Sequence, residues 1–213
     1  MQLSNYQKAI ERARSLFLNC DIQKKAEAYG LRTDDQYAYI VFFSREYRIS
    51  FETGVIDEYY DEVWKEAGHD SAMTLYDVIG LGDASAKASG EFINQNSLVS
   101  TISAAGNPGK GLDQAWSSKF DGHEEALKKG CEALRGHPAG KGDIAYELPM
   151  FDFLNCRFQF WSSDEDFPAQ TVVFVDKNIL QFMKFETTWY AVAHMLRRIA
   201  EEAGLAPGKE EEE

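Results

Sequence analysis

Near the start of the chain, apolar positions recur at helical spacing. Leu3, Tyr6, Ile10, Ala13 and Phe17 share one face, which predicts a first helix. Asp21 then stands where an N-cap belongs and Gly30 where a stop belongs, giving a second, short helix. From Gln36 onward the period becomes that of strands. Residues 37–43 are apolar on both faces, while Tyr47, Ile49 and Phe51 alternate with Arg48, Ser50 and Glu52. A hairpin turning at residues 44–46 is expected, with a central first strand and a half-exposed second one. Glu52, Thr53 and Gly54 read as another turn, which leads into the acidic and aromatic run 57–64. Met73, Leu75, Tyr76, Val78 and Ile79 suit a short helix capped by Asp70 or Ser71.

Residues 80–111 are rich in Gly, Ser, Ala and Asn and break this regularity. Only residues 92–93 and 98–102 look strand-like there. Connections of this length are commonly functional, and the segment is expected either to be a mobile flap beside the sheet or to supply two edge strands. A helix follows at 123–134, with Gly136 as its stop, and then strands at 144–148, 156–161 and 171–175. Residues 186–203 carry an apolar stripe of Trp189, Val192, Ala193, Leu196, Ile199 and Ala200, closed by Gly204. Strands in runs, with helices at both ends and in the middle, predict an α+β fold: an antiparallel or mixed sheet with helices mainly on one face. One domain over residues 1–207 is expected, with 208–213 a disordered acidic tail.

Charge narrows the range of partners. Thirty-five acids against 22 Lys and Arg give a formal net charge of −13, and the basic residues are scattered, so nucleic acid is not an expected partner. Lys8, Glu11, Arg12 and Arg14 interrupt the first 17 residues, and no apolar run reaches membrane-spanning length. A cytoplasmic protein without a membrane partner is expected. Cys20, Cys131 and Cys156 are far apart and form no Cys-x-x-Cys pair, so they read as reduced thiols. Cys20 is the one expected to meet solvent. No metal and no cofactor is implied, and oligomeric state is left open.

The sharpest local feature is the run Trp161, Ser162, Ser163, Asp164, Glu165, Asp166, Phe167 and Pro168. It puts three consecutive carboxylates after an aromatic strand and before a proline. Three acids in one turn suit a hard cation or a basic partner, but the stronger reading is a solvated turn, since the alternating ligands and glycine of a calcium loop are absent. Arg157 and Gln159 share the strand face opposite Phe158 and Phe160. That face is expected to meet water; if it lines a cleft instead, the cleft is built from Arg157, Gln159, Trp161, Asp164 and Glu165, roofed by residues 80–111. His194 falls on the polar side of the last helix and reads as surface; His69, His123 and His137 have no metal spacing. Residues 104–111 fail as a phosphate loop, because Ala104 replaces the first glycine and Gly111 the Ser or Thr.

Several of these pieces together resemble a known family. Leu148-Pro149, the Phe158 to Trp161 strand, Asp164 to Pro168, Val175-Asp176 and the Phe185 to Trp189 helix start are similar to an uncharacterised prokaryotic family, Domain of Unknown Function 3786. Ile49 to Gly54 and Gly142-Asp143 resemble its strand-turn and its Gly-Asp pair. Phe92 and Asn96 depart from it, standing where the family usually has tryptophan and arginine. The resemblance implies no established activity. Two readings follow from the residues. The first is a binding or accessory domain for a small molecule or a basic protein partner, with Arg157, Gln159, Trp161, Asp164, Glu165, Asp166 and Asp176 as candidate ligand contacts. The second is an enzyme using Asp164, Glu165 and Asp176 for acid/base or metal-assisted chemistry.

Overall fold

A computed structural model describes residues 4–98 and 112–205. Among them the α+β class holds, and the strands divide into two five-stranded antiparallel sheets in place of one. Helices α1 (Asn5–Phe17) and α2 (Ile22–Ala28) open the chain. Asp21 caps α2 by accepting from Lys24 N at 3.0 Å, as its position predicts. The first sheet is a meander of β1 (Arg32–Thr33), β2 (Tyr37–Phe42), β3 (Arg45–Ser50), β4 (Ile56–Tyr60) and β5 (Val63–Glu66). Helix α3 (His69–Leu75) follows and runs directly into a π-helical segment, Tyr76–Leu81.

The second sheet takes its edge strand, β6 (Phe92–Asn94), from the glycine-rich region. Helices α4 (Leu112–Phe120) and α5 (Glu124–Ala133) come next, followed by β7 (His137–Pro138), β8 (Ile144–Phe151), β9 (Leu154–Trp161) and β10 (Gln170–Asp176). The strand order is β6-β10-β9-β8-β7. A short α6 (Ile179–Phe182) and the long α7 (Phe185–Glu202) complete the fold. β6 pairs with Phe174–Asp176 as an edge strand, the non-flap alternative for that part of the segment. Residues 99–111, including the failed phosphate loop and the rest of the expected flap, lie outside the described residues, as does the tail at 208–213.

Two of the three two-residue hairpins turn through the left-handed region. The β2–β3 turn is Phe43-Ser44 and the β4–β5 turn is Asp61-Glu62, all four residues at positive φ and without a glycine. Positive φ at both central residues matches the right-handed twist of the flanking strands. Phe43 is held there by burial and by its N–H, which donates to Met150 O at 3.1 Å. The turn therefore sits one residue earlier than expected. At the end of α5, Arg135 takes the left-handed conformation at φ 61°. Gly136 is needed instead for closeness, since a Cβ there would meet Leu148 Cδ2 at 2.5 Å.

The two sheets meet through rings. His194 stacks on Phe42 (4.7 Å between centroids), Phe42 on Phe151 (4.8 Å), Phe151 on Phe153 (5.2 Å) and Phe153 on Phe182 (5.8 Å). Helix α7 supplies the head of this column and packs along α3 and α5. His194 is therefore not a surface residue, as its place on the helix implied, but 6% exposed. The helix is covered on both sides, so its nominal polar face became a second core face. Around it, His194 Nε2 shares a hydrogen bond of 3.1 Å with Tyr47 Oη. Arg45 bridges Glu58 at 3.1 Å and Glu201 at 2.9 Å, and Arg198 binds Glu201 and Glu202.

Burial, reinforced by Arg197, Arg198 and Arg45, holds His194 well below the usual histidine range, so it is neutral in the folded protein. Unfolding frees it to bind a proton below about pH 6.5, which favours the unfolded chain as pH falls. The wild type should lose about 1.4 kcal/mol more stability than His194→Gln between pH 7.5 and 5.5 in urea titrations. Equal losses in the two proteins would remove His194 as the source of the acid sensitivity.

Candidate functional site

The residues singled out in the sequence do not converge on one cleft. Arg157 and Gln159 do share a face of β9, but each is already engaged. Arg157 Nε donates to Glu147 Oε2 at 3.0 Å, and its guanidinium lies 4.1 Å from the Phe92 ring centre. Gln159 is 8% exposed and pairs its side-chain amide with the Lys141 backbone, donating at 3.1 Å and accepting at 3.2 Å. The 140–142 loop covers it so closely that a Cβ at Gly140 would come within 2.3 Å of its terminal amide. Trp161 is half-buried at the end of the strand.

Asp164, Glu165 and Asp166 are exposed, as the solvated-turn alternative has it. Asp164 Oδ1 accepts from Asp166 N (2.8 Å) and Phe167 N (2.7 Å), so it shapes its own turn. The serines before it are clamped from below: Ser162 N donates to Asp143 Oδ2 at 2.8 Å and Ser163 N to Asp121 Oδ1 at 3.0 Å. Asp176 lies at the opposite end of β10, about 20 Å away at the usual rise per strand residue. There it is 1% exposed and accepts from Ser89 N, Ser89 Oγ, Gly90 N and Asn178 N, at 2.8–3.0 Å. Its work is to fasten the 89–91 loop to the sheet. The acid/base set of Asp164, Glu165 and Asp176 is thus not assembled. No three His, Cys, Asp or Glu side chains among the described residues form a metal-holding group.

A groove does exist elsewhere. About 530 Å³ is enclosed between α1, the α3 and π-helical segment, and the first turns of α7. Its floor is apolar, built from Ala9, Ala13, Phe17, Met73 and Tyr76. Lys8, Arg12 and Leu16 form the rim along α1, facing Leu81, Lys184 and Glu186. The spacing of Ala9 and Ala13 explains the space: two small side chains one turn apart leave a trough along the helix. Gly80 sets how deep α1 sits, because a Cβ there would come within 2.8 Å of the Phe17 ring. Cys20 closes one end, with Sγ donating to Gly80 O at 3.4 Å. At the other, Tyr6 meets His69 edge-on (4.9 Å) and His69 meets Tyr190 (5.0 Å).

One charged group belongs to the floor itself. Asp77 is 5% exposed, and its Oδ2 accepts from Lys184 N and Thr187 Oγ1, both at 2.7 Å. Lys184 Nζ lies 3.2 Å from Oδ1. Lys184 is the N-cap of α7 and has no capping side chain of its own, so Asp77 caps that helix from another element. Asp77 lies in the first turn of the π-helical segment, so that segment and the start of α7 are joined directly by these bonds. Nearby, Asp70 is held below the usual carboxylate range despite its burial, because His69 and Arg197 bind it.

A family model described as a domain of unknown function (DUF3786) matches residues 21–198. The chain belongs to this family. No curated protein and no solved structure matches it. The DUF3786 match takes in both sheets, the π-helical segment and most of α7, while α1 precedes it. The motifs that carried the resemblance lie at Leu148-Pro149 in β8, Phe158 to Trp161 in β9, Val175-Asp176 in β10 and Phe185 to Trp189 at the start of α7. In this DUF3786 chain the Gly-Asp pair has a plain task, since Asp143 ties down Ser162. No helix among the described residues is long and apolar enough to cross a membrane.

Most groove residues were missed because they belong to no motif, and Glu186 and Thr187 fall in the Phe185 to Trp189 helix start, which carries the resemblance but no chemistry. One signal was available: Asp77 is an acid inside the apolar run Leu75, Tyr76, Val78 and Ile79, where a charge must find a partner if the helix is buried. Asp77→Ala leaves the Lys184 N–H and Thr187 hydroxyl unpaired in the interior and should cost about 3 kcal/mol in urea denaturation. Asp164→Ala, on the exposed turn, should cost less than about 1 kcal/mol. The reverse order would mean that the buried carboxylate does not organise the start of α7.

Proposed function

We propose that the chain is a small-molecule-binding domain whose ligand lies in the groove between α1, the π-helical segment and α7. The observation that carries this reading is an apolar trough of about 530 Å³ with a buried carboxylate in its floor and charged groups at its rim. Ligand sites are typically concave, mostly apolar, about 300–1,000 Å³ in volume, and lined with a few placed polar groups. π-Helical turns also recur at functional sites, because they cost helix stability and persist where they place a side chain. Neither this groove nor the second principal cavity, beside α2 and the 83–85 loop, is lined by any of Arg157, Gln159, Trp161, Asp164, Glu165, Asp166 or Asp176.

Binding, rather than catalysis, is the reading favoured by the groups present. The thiols of Cys131 and Cys156 are buried, and burial pushes both well above the usual cysteine range, which leaves them inert. Burial likewise pushes Tyr76 in the groove floor up to about 12, so it stays a neutral phenol. Asp77 is committed to the helix start. What remains is a surface for apolar contact with polar ends.

The test uses an uncharged fluorescent probe, N-phenyl-1-naphthylamine. It should bind the wild type saturably, and Ala9→Trp, which fills the trough from α1, should weaken it about tenfold or more. The melting temperature of the free variant should stay close to that of the wild type, because Ala9 lies on the groove side of an exposed helix. Unchanged affinity in a folded Ala9→Trp protein would place the probe elsewhere and defeat the proposal.

A further inference from the structure

The chain is strongly acidic, yet the groove wall formed by α1 is not. Lys8 and Arg12 stand one helical turn apart on the exposed side of α1 and face the same space. Neither makes an ion pair or a side-chain hydrogen bond among the described residues. Many arginines elsewhere meet acids, among them Arg32 with Glu46 at 2.7 Å, Arg48 with Asp57 at 2.8 Å and Arg157 with Glu147 at 3.0 Å. The other lysine lining the groove, Lys184, is engaged on Asp77. Like charges one turn apart repel, so the Lys8–Arg12 pair carries a cost that an anion seated between them would remove. Opposite them, Glu186 is a groove-lining carboxylate without an ion pair among the described residues. Two cations against one acid leave the mouth positive, while the floor beneath is apolar.

We infer that the ligand of this groove is an amphiphile, with an apolar body lying on the Phe17 and Tyr76 floor and an anionic head, carboxylate or phosphate monoester, seated between Lys8 and Arg12. This inference rests on the groove being a binding site at all, as proposed above. The apolar body supplies burial without direction, and the charged head fixes orientation, because only the α1 wall carries cations not already matched by an acid, Lys184 opposite being paired with Asp77. Arg12 adds a planar fork suited to carboxylate or phosphate oxygens, and Lys8 a point charge. Because the mouth is open to water, the charge contribution is screened by salt.

The experiment titrates the full chain with decanoate, decyl phosphate and 1-decanol, all below their micellar concentrations, by isothermal calorimetry. At low ionic strength both anions should bind about tenfold tighter than the alcohol, and the gap should close near 1 M salt. The Lys8→Ala/Arg12→Ala double variant should lose the gap while keeping its affinity for decanol. Glu186→Gln should tighten the anions a few-fold and leave decanol unchanged, a gain that a damaged fold would not produce. The tighter of the two anions identifies the head group. Decanol binding as well as the anions, or a gap that survives the double variant, would overturn the anionic head while leaving the groove in place. Absence of binding by all three would overturn both proposals together.

Discussion

The Asp77 carboxylate is the point on which the candidate site depends. A helix start leaves backbone N–H groups without partners and a partial positive charge, and α7 meets that need with an acid from a different element. Because Asp77 must reach Lys184 N and Thr187, the π-helical segment is fixed against the first turn of α7. That fixes the floor of the groove. α1 then lies across the same segment, with Phe17 in the space that Gly80 leaves open and tilted against Tyr76 at 5.2 Å. Charge satisfaction, helix capping and the shape of the trough are consequences of one buried group.

The far half of α7 solves a different problem with the same means. Its buried face meets both sheets, and polar groups there are matched in pairs or triads: His194 with Tyr47, Arg45 between Glu58 and Glu201, and Arg198 with Glu201 and Glu202. Buried charges left single would be costly, whereas a closed network fixes the relative position of the elements it joins. The stacked rings from His194 to Phe182 run through the same junction and add directional packing where apolar area alone would allow sliding. The helix is therefore held at its start by Asp77 and along its length by this junction.

Local signals in the sequence were legible and long-range ones were not. The α2 cap at Asp21, the alternation in β3, the strands β8, β9 and β10 and the stripe of α7 all follow from periods and caps within a few residues. The α+β class follows from them. The division into two sheets was hidden, because nothing local says which strand pairs with which. The turn at Phe43-Ser44 was expected one residue later and the one at Asp61-Glu62 was not legible at all, because neither carries the glycine that marks positive φ; at Phe43 burial holds the conformation instead. Helix α4 lay beyond the glycine-rich segment and offered little periodicity. His194 misled because it sits where a one-sided helix would face water, whereas α7 is covered on more than one side. The acidic turn drew attention as a motif, although its carboxylates face solvent and its anchors, Asp121 and Asp143, lie far away in sequence.

The most direct measurement is an amide NMR titration of isotope-labelled protein with N-phenyl-1-naphthylamine. If the groove is the ligand site, the largest shifts will cluster at Ala9, Ala13, Gly80, Leu81 and Thr187, with β9 and the 162–167 turn little affected. Shifts confined to β9 and that turn, or none at saturating probe, would contradict the assignment of function to the space that Asp77 organises.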